Sequence, residues 1–108
     1  MKPAGIRDAT IETRGDNRFA LSGDLVFENT ARVLEAGETA FGERPAIEVD
    51  LADVGRVDSA GLALLLEWAV AARAAGRAVR YRNLPAGAAS LAGISDISEL
   101  LDEYASGA

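Results

Sequence analysis

Neither cysteine nor histidine occurs among the 108 residues of this chain. Without thiols there are no disulfides and no thiolate chemistry. Without imidazoles the usual zinc ligand sets and the commonest general base are lost as well. Most hydrolase and metal-site hypotheses end there, and no metal site is expected. Also missing is any apolar run approaching the ~20 residues that cross a bilayer. The opening MKPAGIRDATIE lacks the apolar stretch of a signal peptide, so the expected compartment is the cytoplasm. Dense basic runs are absent too: the eleven Lys and Arg are scattered among 17 Asp and Glu, for a net charge of -6. A phosphate backbone has nothing continuous to follow, and nucleic acid is not an expected partner. The same acidity repels an anionic lipid surface, so attachment to a membrane is expected only through another protein, without direct insertion. Neither GxxxxGK[ST] nor GxGxxG is present, and no nucleotide cofactor is expected.

What is present suits one globular domain. Hydrophobic residues make up 49% of the chain and charged residues 26%, too apolar a balance for a disordered segment. A chain of this length buries roughly 60 to 65% of its unfolded surface in a single core. One domain is expected over residues 1–108, ordered from about 9 to 105, with no internal repeat.

Residues 9–14 (ATIETR) and 18–22 (RFALS) alternate in character around Gly15-Asp16-Asn17, the pattern of a β-hairpin. Over 25–41 the period lengthens. Val26, Phe27, Ala31, Val33, Leu34, Ala40 and Phe41 form the apolar stripe of an amphipathic helix, with Glu28, Arg32 and Glu35 away from it. Gly37 weakens that helix by roughly 1 kcal/mol relative to alanine, so a break or frayed end is expected near it. Residues 46–51 (AIEVDL) return to alternation, as a strand covered on one side does. A second helix is expected over 60–75, ended by Gly76, then a strand over 78–82 (AVRYR) and two short helices near 87–93 and 97–105. Strands alternating with helices of these lengths predict an α/β fold: a mixed sheet of four or five strands with helices chiefly on one side.

The most informative stretch is VDSAGLALLLEWAVAARAAG, residues 57–76, where a polar turn joins a strand to a helix. Two readings of the turn stay open. Asp58 or Ser59 is a helix N-cap, its side-chain oxygen accepting from a first-turn amide for ~1 kcal/mol. Alternatively Ser59 is an exposed hydroxyl at the positive end of a helix and a site of phosphorylation. A phosphate ~5 Å from Asp58 meets about 3 kcal/mol of repulsion per pair of unit charges at an effective dielectric of 20. Modification would therefore perturb the turn. At about 100° per residue, Leu62, Leu65, Leu66 and Ala69 share a sheet-facing side. Leu64, Trp68, Ala71 and Ala75 fall on roughly the opposite side, either covered by later helices or exposed as a partner-binding surface. Asp24 and Asp50 could pair as acids, but nothing in the sequence brings them together, and acidic residues beside strands are usually solvated.

Three segments carry a resemblance to a known family: Gly23-Asp24-Leu25, AIEVDLADVGRVDSAGLALL over 46–65, and AVRYRNLP over 78–85. Together they resemble the STAS domain of anti-sigma-factor antagonists and sulfate-transporter tails. LALLLEW is most similar to the MlaB group, small STAS subunits of Mla phospholipid-transport ABC complexes. The resemblance implies a sheet with helices on one side and a functional turn at Asp58-Ser59-Ala60-Gly61. In the antagonists the matching serine is phosphorylated by a kinase that is also the partner. In MlaB proteins the matching position contacts the ABC ATPase subunit. The implied function is thus a non-enzymatic subunit without cofactors of its own, peripheral to the inner membrane through an ABC transporter ATPase. Any ATP would belong to that partner. The alternative is an anti-sigma factor antagonist bound to a serine kinase and switched at Ser59. In either case the binding residues would be Asp58, Ser59, Ala60, Gly61, Leu64 and Trp68.

Overall fold

A computed structural model describes residues 5–86 and residue 88. The elements run β1 (Thr10–Thr13), β2 (Arg18–Leu25), α1 (Thr30–Phe41), β3 (Ala46–Val57), α2 (Ser59–Ala74) and β4 (Ala78–Arg82). The short helices expected near 87–93 and 97–105 lie outside the described residues, apart from isolated positions. The sheet has the order β1-β2-β3-β4, with β1 antiparallel to β2 and β2, β3 and β4 mutually parallel. Two crossovers that step the same way across a sheet, both right-handed as such connections nearly always are, place their helices on one face. α1 and α2 indeed touch, and Ile47, Val49, Leu51, Val79 and Tyr81 are buried beneath them. Arg80 and Arg82 on the other side of β4 are exposed.

Both β2 and β3 extend further than alternation alone foretells. β3 carries two register irregularities against β2: Ala20 faces Asp50 but Ser22 faces Asp53, and Gly23 faces Val54 but Leu25 faces Val57. Each inserts an extra residue into β3, as a β-bulge does. The inward sequence therefore runs Val49, Leu51, Val54 and then Val57, with adjacent exposed pairs at Ala52-Asp53 and Gly55-Arg56.

α1 starts at Thr30 rather than at residue 25. Leu25 completes β2 and Val26 is buried, but Phe27 is 77% exposed. The apolar period had placed Phe27 on the helical stripe. The local cause is Asn29: its amide donates to the Asp24 carbonyl at 2.8 Å and its carbonyl oxygen accepts from the Val26 amide at 3.1 Å. These bonds hold residues 26–29 in a turn, and the helix begins only beyond it.

Leu64 and Trp68, expected away from the sheet as a candidate partner surface, are instead each 4% exposed and belong to the main core. On a helical wheel Trp68 lies only about 60° from Leu65, and α1 covers that flank. The Trp68 ring meets Phe41 edge-on at 5.1 Å, and Phe41 meets Phe19 in the same way at 5.1 Å. The indole N–H points to the Leu34 carbonyl at 3.4 Å. Gly37 lets the helices approach: a Cβ there would fall 2.2 Å from Cζ2 of Trp68. The glycine that weakens α1 is the contact point of the two helices, and α1 passes through it unbroken. On α2, Leu62 and Leu65 are buried and Leu66 is half-buried; Leu62 packs against Ala88 with Leu66, Val57 and Leu84 around them.

Candidate functional site

The end of β3 delivers Val57 to the top of the sheet, and α2 starts two residues later at Ser59. Asp58 is the N-cap, with extended backbone (φ -96°, ψ -174°). Its two carboxylate oxygens do different work. Oδ1 accepts from the Gly61 amide at 3.0 Å, satisfying one of the orphan donors of the first turn. Oδ2 accepts from the Phe27 amide at 3.0 Å, across from the turn that follows β2. The Asp58 amide donates to the Leu25 carbonyl at 3.2 Å. One residue thus ties the helix start to the end of β2 and its turn by two bonds and caps the helix with a third.

Gly61 completes that junction. A Cβ at this position would lie 2.1 Å from the Leu25 carbonyl oxygen, so only glycine lets α2 sit this close to the end of β2. Ser59, the first helical residue, is exposed, and among the described residues its hydroxyl has no hydrogen-bond partner. Ala60 is half-buried and Gly61 buried. Of the four turn residues, Ser59 offers a free group, Asp58 a carboxylate already engaged, and Gly61 a backbone fit.

Beside the turn is a shallow recess of about 310 Å³ lined by Val26, Gly55, Arg56, Val57 and Asp58. Phe27 is not part of its lining, but it follows Val26 in the chain and its amide is bonded to Asp58. Along the outward side of α2, Ala63 and Val70 continue from Ser59, within about 40° on the wheel, and both are exposed. The adjoining-helix surface therefore consists of Ala63 and Val70, where the sequence pointed to Leu64 and Trp68. The signal was available in the wheel itself, because residues 59, 63 and 70 lie about 120°, 160° and 140° from Leu65, whereas Leu64 and Trp68 lie within about 100° of it. Phe27 had no such signal, since its apolar character fits the helical period as well as it fits an exposed turn.

Asp24 supports the site from below and is 2% exposed. Its Oδ2 accepts from the Arg7 amide at 3.0 Å and its Oδ1 from the Arg56 amide at 2.9 Å. The amide bonds from Arg7 and then Arg56 hold its carboxyl below the usual carboxylate range despite burial. Asp50 is lowered as well, chiefly by the Asn83 side-chain amide at 2.9 Å and then by the Ala52 amide. The two acids bind separate partners and form no pair. Tyr81 is fully enclosed, and burial pushes its phenol far up. Its hydroxyl donates to the Leu65 carbonyl at 2.5 Å. Among the described residues no group of three His, Cys, Asp or Glu side chains is placed to hold a metal ion, and no helix is long and apolar enough to cross a membrane.

The family described as "Mlab, STAS domain" matches residues 10–102. Similar solved structures include the anti-sigma factor antagonist SpoIIAA in its unphosphorylated form, at 14% identity and TM-score 0.65, covering 85% of this chain and 84% of that one. A sulfate transporter family protein from Wolinella succinogenes is 15% identical with TM-score 0.64, covering 88% and 79%. An anti-sigma factor antagonist from Mycobacterium paratuberculosis is 20% identical with TM-score 0.60, covering 92% and 85%. At these identities the likeness is one of fold. No curated protein matches the sequence.

Proposed function

The chain belongs to the MlaB-type STAS domain family, and from that membership we propose that it is a non-catalytic accessory subunit of a phospholipid-transport ABC system. It docks on the cytoplasmic ATPase subunit through Ser59, the rest of the Asp58-Gly61 turn, and the outward side of α2 at Ala63 and Val70. Through that partner it is peripheral to the inner membrane and contributes to outer-membrane lipid asymmetry. The observation that carries the reading is the exposed Ser59 hydroxyl, without a partner among the described residues, on a rigid turn whose neighbouring carboxylate, Asp58, is taken up by the Gly61 and Phe27 amides, a geometry suited to a protein contact. The family match favours the transporter over the other branches of the fold.

An anti-sigma factor antagonist switched by a serine kinase is the second reading, favoured by the fold of two of the similar structures and by the same exposed hydroxyl. Asp58 weighs against it. A phosphate at a helix start is stabilised by free first-turn amides and the helix dipole, but the Asp58 carboxylate already holds the Gly61 amide. Co-purification of the tagged chain from its native host, with intact-mass measurement, separates the two. An ABC ATPase recovered with an unmodified subunit, and function retained by Ser59→Thr, supports the first reading. Stoichiometric phosphate at Ser59 together with a bound serine kinase refutes it.

A further inference from the structure

We infer that Phe27 is the anchor of the docking surface: an aromatic knob that enters an apolar pocket on the protein partner, with basic side chains of that partner facing Asp58 and Glu28. The inference rests on the reading that the Ser59 turn is a docking site, and it names the residue that holds the partner there. Phe27 contributes nothing to the core. Its neighbours Leu25 and Val26 are 0% and 2% exposed, whereas its own ring is 77% exposed, the most open large hydrophobic side chain among the described residues. Large aromatic side chains surrounded by polar groups are the commonest hot spots of protein interfaces.

The backbone that carries the ring is fixed in advance. The Phe27 amide is bonded to Asp58, and Asn29 closes the turn on either side through Asp24 and Val26. Little backbone freedom remains to be lost on association. The same Asp58 carboxylate caps α2, so the position of Phe27 relative to Ser59 is set before a partner arrives. Asp58, which also lines the recess with Val26, Gly55, Arg56 and Val57, thus joins the backbone of the knob to the turn that carries the hydroxyl.

Charge identifies the kind of partner. Glu28, next in the chain, is exposed and Asp58 is half-buried, two carboxylates against the one guanidinium of Arg56 in the recess, which favours a pocket with a basic rim. A second copy of this chain is disfavoured, because it brings the same excess of acid over base, at a net charge of -6 on each chain. A membrane surface is disfavoured by the same carboxylates where its headgroups are anionic.

The test uses the full chain. In its native host, a photo-crosslinking phenylalanine analogue at position 27 is expected to join the chain to the protein that co-purifies with it. In the purified complex, Phe27→Ala is expected to raise Kd at least about tenfold, Phe27→Leu to recover most of the affinity, and neither to change the urea midpoint. A change of less than twofold for Phe27→Ala, or crosslinks confined to a second copy of this chain, overturns the inference. Failure of the transporter reading looks different: crosslinking to a serine kinase leaves Phe27 as the anchor and removes the ATPase. If Ser59→Arg releases the ATPase while Phe27→Ala does not, the transporter reading stands and the anchor falls.

Discussion

Replacing Gly37 by alanine opposes two effects whose sizes differ enough to fix the sign. At an ordinary helix position the change stabilises by about 1 kcal/mol through helix propensity. Here the added Cβ would lie 2.2 Å from Cζ2 of Trp68, 2.6 Å from Cε2 and 2.9 Å from Nε1, more than about 1 Å inside ordinary carbon contact. The indole can retreat only toward the recess of about 340 Å³ that it lines with Leu34, Phe41 and Ala72. It is 4% exposed, flanked by the Phe41 ring at 5.1 Å, and its N–H is directed at the Leu34 carbonyl. Overpacking a fixed site costs about 1–3 kcal/mol, and the pinned indole argues for the upper end. Gly37→Ala is therefore expected to destabilise the domain by about 1–2 kcal/mol net. In a Trp68→Leu background the clashing atoms are gone, and the same substitution should stabilise by up to about 1 kcal/mol. Urea unfolding followed by far-UV circular dichroism measures both, since losing the single tryptophan removes the fluorescence probe. A stabilising Gly37→Ala in the wild-type background, or the same sign in both, refutes the claim that the two helices meet at this point.

Trp68→Ala should cost ~3–5 kcal/mol of stability while leaving partner affinity unchanged among folded molecules, as paired unfolding and binding measurements would show. Asp58→Ala removes the N-cap and frees the Phe27 amide; a loss of about 1–2 kcal/mol in urea unfolding is expected, with partner affinity falling alongside it. Gly61→Ala forces a Cβ against the Leu25 carbonyl and should be less stable than wild type by more than about 1 kcal/mol, a loss that shows as a lowered urea midpoint. Asp24 and Asp50 have folded pKa values below their unfolded ones. Their contribution is complete above the unfolded carboxylate range near about pH 4 and is lost as pH falls through the folded values. Unfolding free energy measured downward from neutral pH should drop in acid, and Asp24→Asn should flatten that dependence.

Alternation located β4 and the first half of β3 because one face of the sheet there is covered and the other open, and it found the start of β2 although Phe19, Ala20 and Leu21 are all buried. It failed at the bulges, where Ala52-Asp53 and Gly55-Arg56 break the period and the strand continues regardless. The polar turn at Asp58-Ser59 was legible from local chemistry, since capping residues and a following apolar helix are short-range signals. The burial of Leu64 and Trp68 was not. It depends on where α1 lies, which Gly37 sets by admitting a ring from an element some thirty residues away. Phe27 was misassigned for a related reason: the bonds that hold it outside the helix come from Asn29 and Asp58, and periodicity carries no record of side-chain hydrogen bonds.

The two bulges in β3 also govern how the surface around Ser59 tolerates change in chain length. Ahead of them, Ile47, Val49 and Leu51 are locked to the sheet by strict alternation, and an insertion or deletion there would turn every later side chain over. Within the irregular stretch the alternation has already been interrupted twice, so removing one extra residue restores a regular ladder while the later pairs, and with them Asp58 beside Leu25, keep their places. The turn thereby tolerates the loss of a residue from either bulge without rewriting the core. One-residue deletions at Ala52 or Gly55 are expected to leave partner affinity unchanged, with stability reporting on the ladder.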